Sequence, residues 1–165
     1  DSLGIVGHAY RDGECLDATN DDWYCYYLQG ALDKDIIPKE MIENCNVTKV
    51  TKTLAEATDD KEAVTTDVNV YTGKFDGDKP ITREEMAAIA VRCKNYKMRR
   101  LTDWDNERRY PIFSFKDSDE IDEKYISDVV EAYNLNYIDG MEDGRFAPKE
   151  NLTRAQAAVV MNNLK

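Results

Sequence analysis

Part of this chain is written twice, and that constrains its fold more than any other feature. Gly73-Lys-Phe75-Asp-Gly-Asp-Lys-Pro-Ile81-Thr82-Arg83 aligns with Gly144-Arg-Phe146-Ala-Pro-Lys-Glu-Asn-Leu152-Thr153-Arg154 at a constant offset of 71, with Gly, Phe, an aliphatic residue, Thr and Arg in register. Upstream of each copy lies a second matching piece, Tyr24 to Ile37 against Tyr125 to Ile138, at an offset of 101. The two offsets differ by 30 residues, so the first copy carries an insertion between Pro38 and Thr72. Val64, Val68 and Val70 alternate with polar residues there, which reads as a decorated loop or a small hairpin.

The matched halves carry helical signals. Met86, Ile89, Ala90 and Cys93 recur at i, i+3, i+4 and i+7, as do Ala157, Val160, Met161 and Leu164, which predicts two single-faced helices. Thr82-Arg-Glu-Glu85 and Thr153-Arg-Ala-Gln156 fit the capping box, in which side chains satisfy two orphaned backbone donors, so Thr82 and Thr153 are the predicted N-caps. First-half helices are expected over roughly 22–32 and 122–134. Each copy therefore reads as helix, loop, helix, and the fold class as mainly α.

Composition narrows function by exclusion. With 33 Asp+Glu against 22 Lys+Arg the formal charge is -11, which opposes phosphate-tracking nucleic-acid binding. Arg99, Arg100, Arg108 and Arg109 come nearest to a basic stripe, but Asp103, Asp105 and Glu107 interrupt it. The longest apolar run, Met86 to Val91, is far short of the roughly 20 residues that cross a bilayer. Cys15, Cys25, Cys45 and Cys93 include no Cys-x-x-Cys pair, and the single His8 adds no zinc-like spacing, so no metal is expected. A disulfide is open to the first three if the protein is exported. Asp17-x-Thr-x-Asp21-Asp22 and Phe75-Asp-Gly-Asp78 gather oxygen ligands without the twelve-residue loop of an EF-hand, and solvated turn carboxylates are the favoured reading. No Gly-rich phosphate loop, nucleophile elbow or Cys/His pairing appears, so neither an enzyme nor a cofactor is expected. The chain starts at Asp1 with no initiator Met, and reads as a mature product or an excised fragment.

Phe115-Lys-Asp117, an amphipathic helix, Ile138-Asp-Gly140-Met-Glu-Asp143-Gly144-Arg-Phe146-Ala-Pro148 and Leu152-Thr153-Arg154-Ala together resemble the S-layer homology module. The match covers Phe113 to Lys165, and Asp22 to Ile37 with Gly73 to Tyr96 resembles a second, interrupted copy. The organisation expected is an N-terminal segment over 1–14, readable as a remnant of a preceding module; a module over 15–97 with an insertion at about 38–72; a linker over 98–112; and a module over 113–165. The resemblance implies helix-loop-helix repeats packed as a pseudo-threefold helical bundle, in an exported bacterial protein held at the cell surface. The implied partner is secondary cell-wall polysaccharide, often pyruvylated. An alternative is a protein-interaction module whose insertion contacts another surface protein.

By resemblance, the glycan-binding residues carry over to Trp23, Arg83, Gly140 and Arg154. A guanidinium can grip a pyruvate carboxylate with two parallel hydrogen bonds, and it does so beside the free N–H groups of a helix start. Trp23 would offer a flat face to a sugar ring. The other reading open to these residues has the arginines tying repeats together and Trp23 filling a core. The sequence also departs from the family pattern. Only two modules are evident, Pro38 and Lys39 stand where the second copy has Asp139 and Gly140, Lys124 replaces the tryptophan, and Gln156 replaces the acidic residue after Thr-Arg-Ala.

Overall fold

The structure, a computed structural model, describes residues 16–18, 21–55, 63–95 and 115–164. His8, Cys15, the N-terminal segment and the expected linker lie outside them. Among the described residues, four α-helices and one β-hairpin follow in the order α1 (Cys25–Asp33), β1 (Glu43–Ala55), β2 (Val64–Lys74), α2 (Arg83–Asn95), α3 (Ile126–Asn134) and α4 (Arg154–Asn163).

The expectation of a mainly α, pseudo-threefold helical bundle is corrected by this architecture. The strands span 13 and 11 residues and the helices 9, 13, 9 and 10, so the hairpin is as long an element as any helix. The cause lies in the inserted sequence, where the β-branched Thr and Val recur through both strands and favour a pleated surface. β1 and β2 pair antiparallel, with Val47 opposite Tyr71 and Val50 opposite Val68. Tyr71 points into a core with Leu28, Leu32 and Ile42, while Gln29 Nε2 donates to the Asn69 carbonyl at 3.3 Å. Hairpin and α1 are thereby one packed unit. Burial carries the Tyr71 phenol up to about 12, with the Asn69 hydrogen bond acting against it. At the hairpin base Gly73 has φ +137°, and a Cβ there would lie 2.7 Å from the Glu43 carbonyl, so the position requires glycine.

Repetition is visible in the chain reversals. Asp35 and Asn136 follow α1 and α3 at the 101 offset, and both adopt the left-handed conformation, with φ 53° and 55°. After each, the next amide reaches back, Ile36 N to Ala31 O and Tyr137 N to Ala132 O, both at 2.8 Å. Asp and Asn tolerate this backbone because their short side chains cost little there, and the bonds close the helix C-termini.

Helix packing crosses the repeat. Ala87, Ala88, Ala90 and Val91 of α2 are buried together with Val129, Val130 and Ala132 of α3, so the second helix of the first copy belongs to the core of the second. α2 is consequently covered on more than the one predicted face, and small alanines permit the close approach. On α4, Val160 is buried but Met161 is 59% exposed, so only part of the predicted stripe faces the core.

Candidate functional site

The loop before each second helix is shaped by one carboxylate. Asp117 accepts the backbone N–H groups of Phe146 and Ala147, both at 2.8 Å. Asp17 does the same for Phe75 at 2.7 Å and Asp76 at 2.9 Å. Ala147 and Asp76 correspond and share positive φ, 59° and 56°, a backbone that the doubly bonded carboxylate holds in place. The Asp17 carboxyl lies below its usual range: burial works against ionisation, and the two amide bonds outweigh it. The two stretches considered for calcium thus meet as a carboxylate-to-amide clamp. Among the described residues no group of three or more His, Cys, Asp or Glu is placed to hold a metal.

Thr82 and Thr153 stand immediately before α2 and α4. Gln156 N donates to Thr153 Oγ1 at 3.2 Å and Thr153 N donates to Gln156 Oε1 at 2.9 Å. Glu85 N donates to Thr82 Oγ1 at 3.3 Å and Thr82 N to Glu85 Oε2 at 2.9 Å. Both helices begin in a reciprocal box.

The two arginines that follow have opposite surroundings. Arg83 is 3% exposed; its Nε donates to the Phe146 carbonyl at 2.7 Å and its Nη2 to the Asp139 carbonyl at 2.6 Å, with the guanidinium 5.1 Å from the Phe146 ring centroid. Burial lowers its pKa, and Glu150, Asp117 and Asp139 oppose that shift. The amides of Arg83 and Glu84 donate to the Glu150 and Pro148 carbonyls, so the start of α2 is filled by the following copy's loop. Arg154, its counterpart, is exposed.

Beside Arg83, Glu84 is a buried acceptor between the copies. Lys149 Nζ bonds Glu84 Oε1 and Asp122 Oδ1, both at 2.6 Å, and Asp122 N donates to Glu84 Oε2 at 3.1 Å. Burial opposes the Lys149 charge, but the bonds to Asp122 and Glu84 prevail and raise its pKa. Sequence reasoning passed over Glu84 and Lys149, because a capping box accounts for one acid in the first turn of α2 and gives no reason to single out its neighbour.

Gly140 follows the Asp139 carbonyl that Arg83 holds. A Cβ on it would lie 2.4 Å from the Phe115 ring, so the loop crosses the aromatic core only with glycine there. Arg83 and the Gly140 loop are therefore brought together. Trp23 lies in the turn before α1, 81% exposed, with its ring edge-on to Tyr24 at 5.8 Å between centroids. It fills no core. Burial, then Asp22, Asp78 and Asp17, push the Tyr24 phenol up.

Comparison with known proteins gives the site a context. The S-layer homology domain family matches residues 114–158. An endoglucanase of Bacillus sp. (strain KSM-635) is 37% identical over 102 residues, 59% of this chain and 10% of that protein. An amylopullulanase of Thermoanaerobacterium thermosulfurigenes is 30% identical over 162 residues, 98% of this chain and 7% of its own length. The exoglucanase XynX of Acetivibrio thermocellus is 31% identical over 165 residues, 98% of this chain and 12% of its own length. The chain thus spans about a tenth of the length of these relatives, and the last two align through the hairpin as well as both copies. No solved structure matches.

Proposed function

With an S-layer homology domain at residues 114–158 as the premise, we propose that this chain is a noncatalytic module that anchors a larger exported protein to the bacterial cell wall by binding its secondary polysaccharide. The enzyme names of the relatives, each far longer than this chain, suit a parent protein whose carbohydrate chemistry lies in other domains. The observation that carries the reading is the open guanidinium of Arg154 in the first turn of a box-capped helix, where a carboxylate-bearing sugar would meet both the fork and the positive end of the helix. Trp23 offers the second element, an exposed ring for a sugar face. Arg83 and Gly140 act on the loop itself: the buried guanidinium holds the Asp139 carbonyl, and the glycine lets the chain pass the Phe115 ring. A pyruvylated glycan fits this chemistry best, because a planar carboxylate rewards a fork over a point charge.

The test is co-sedimentation of the 165-residue chain with purified bacterial walls. Binding should fall when the secondary polysaccharide is stripped and when Arg154→Ala is introduced, with the fold unchanged by circular dichroism. Equal binding to stripped and intact walls would refute the assignment. One observation favours a second role: Val50 and Val64 leave apolar surface exposed on the hairpin, which suits contact with another surface protein. Val50→Glu would then weaken that contact and leave wall binding intact.

A further inference from the structure

Among the described residues, Trp23 and Tyr27 are the exposed large aromatic side chains, 81% and 59% open to solvent. Cys25 N donates to the Asp22 carbonyl at 3.0 Å and Leu28 N to the Tyr24 carbonyl at 2.9 Å, so helical winding starts ahead of α1 and carries both residues. Positions four apart on such a winding share one face, separated by one turn, about 5.4 Å of rise. The opposite face is fixed by burial of Cys25, Leu28 and Leu32 with Ile42 and Tyr71. Trp23 is braced from behind, its ring edge-on to Tyr24, and Tyr24 in turn stands against Phe75 and the Gly77 loop. Two rings are therefore held outward, one turn apart, on a helix whose packing fixes its rotation. The second copy has no such pair: at the offset of 101 Trp23 corresponds to Lys124, and Tyr27 to Asp128, whose side chain is 15% exposed and meets Arg92 at 3.8 Å.

We propose that Tyr27 joins Trp23 in a two-ring platform for uncharged sugar residues of the wall polysaccharide, while Arg154 on α4 takes the acidic one. The assignment rests on the reading of the chain as a polysaccharide-binding module and divides its ligand between two helices. Local charge selects the occupant. Asp22, Asp78 and Asp17 act on Tyr24 through their charge, and Asp21 and Asp78 are exposed beside the turn and loop that hold the rings. An aromatic face attracts the C–H face of a sugar, and exposed carboxylates accept hydrogen bonds from its hydroxyls. The same carboxylates repel a pyruvate group, and they repel a second copy of a chain whose formal charge is -11. A protein partner is disfavoured by size as well, since two rings fall far short of the about 800 Å² per partner that a stable interface buries. The large aliphatic side chains of α1, Leu28 and Leu32, are turned the other way and add nothing to the patch.

The experiment is isothermal titration calorimetry of the 165-residue chain with solubilised wall polysaccharide, used intact and after mild acid has removed its ketal-linked carboxylates, with the loss of charge checked by electrophoresis. Tyr27→Ala should weaken binding to both polymers by about five- to tenfold, and Tyr27→Phe, which keeps the ring, should retain most of the affinity. Arg154→Ala should weaken binding to the intact polymer only. Circular dichroism and urea unfolding should be unchanged in both Tyr27 variants, as expected at an exposed position. Equal affinity of Tyr27→Ala and the parent chain for both polymers overturns the platform and leaves the glycan reading standing. A loss confined to the intact polymer overturns the assignment to uncharged sugars. Absence of binding by the parent chain to either polymer refutes the glycan reading, and the platform with it. Self-association in sedimentation equilibrium that Tyr27→Ala abolishes would give the face to a second copy and overturn the proposal equally.

Discussion

Asp117 holds Phe146 by its backbone, accepting the amide N–H at 2.8 Å, and the same carboxylate takes the next amide at the same distance. The Phe146 ring is fully buried against Phe115, so one side chain fixes both the loop path and the depth of its anchor. Asp117→Ala leaves two donors without partners in a buried setting, and should cost about 3 kcal/mol by urea unfolding. Asp17 makes the equivalent pair of bonds at an exposed site, where water can replace it, so Asp17→Ala should cost about 1 kcal/mol. Equal losses would show that burial does not set the strength of the clamp.

Arg83 and Arg154 occupy one sequence motif and should answer mutation in opposite ways. Arg83→Ala leaves the Phe146 and Asp139 carbonyls without their donor and removes the stacked guanidinium, for an expected loss of about 2–4 kcal/mol. Arg83→Lys should recover only part of it, since an ammonium cannot hold two carbonyls with the geometry of a fork. Arg154→Ala should change stability by less than about 0.5 kcal/mol, the usual range for an exposed site, while lowering retention on walls. Thermal unfolding of the three variants beside the wall assay separates the roles.

That contrast also marks what the residues alone could reveal. Gly-x-Phe and Thr-Arg gave the positions of the loops and of both helix starts, because capping chemistry is local and depends on residues three apart. What surrounds each arginine depends on what comes next in space, and two identical Thr-Arg pairs cannot encode the difference. Asp17 went unrecognised as the partner of Asp117 because their separation is 100 rather than 101 and Leu16 stands where Lys116 does. Allowing a one-residue slip would have found it. The burial of α2 beyond one face, at Ala87, Ala88, Ala90 and Val91, was written in Met86-Ala-Ala-Ile-Ala-Val91, apolar at every position, a pattern that the period of 3.6 alone reduces to one face. The inserted valines and threonines suggested strands, but alternation says little about how far a hairpin extends or which helix it covers.

Asp128 gives the α2–α3 contact a pH dependence. Burial raises its carboxyl above the usual range; Arg92 acts against the shift, and Glu40 and Asp35 reinforce it. The folded chain therefore keeps a proton that the unfolded chain, with a carboxyl near about 3.9, has already released. Stability from this group is present at low pH and declines as pH rises through the folded value. Asp128→Asn removes the titration, while Arg92 keeps Asp35 at 3.0 Å. Unfolding measured from pH 4 to pH 7 should show the variant gaining on the parent chain as pH rises. A constant difference across that range would mean that Asp128 ionises normally in the fold.

Trp23 isolates recognition from stability. With its ring 81% exposed and only an edge contact to Tyr24, Trp23→Ala removes little buried surface and should shift stability by less than about 0.5 kcal/mol. Tyr24 behind it is different. Its ring sits where a Cβ on Gly77 would approach to 2.4 Å and stands near Phe75, so Tyr24→Ala opens the packing between the α1 turn and the loop and should cost about 2–4 kcal/mol. If Trp23 stacks on a sugar, its fluorescence should change on titration with solubilised wall polysaccharide, and Trp23→Phe should keep part of the affinity that Trp23→Ala loses. The second tryptophan, Trp104, lies outside the described residues, so the titration is repeated in a Trp104→Phe background to assign the signal. Unchanged fluorescence in that background, with wall binding intact in Trp23→Ala, would remove Trp23 from the binding surface and leave recognition to Arg154.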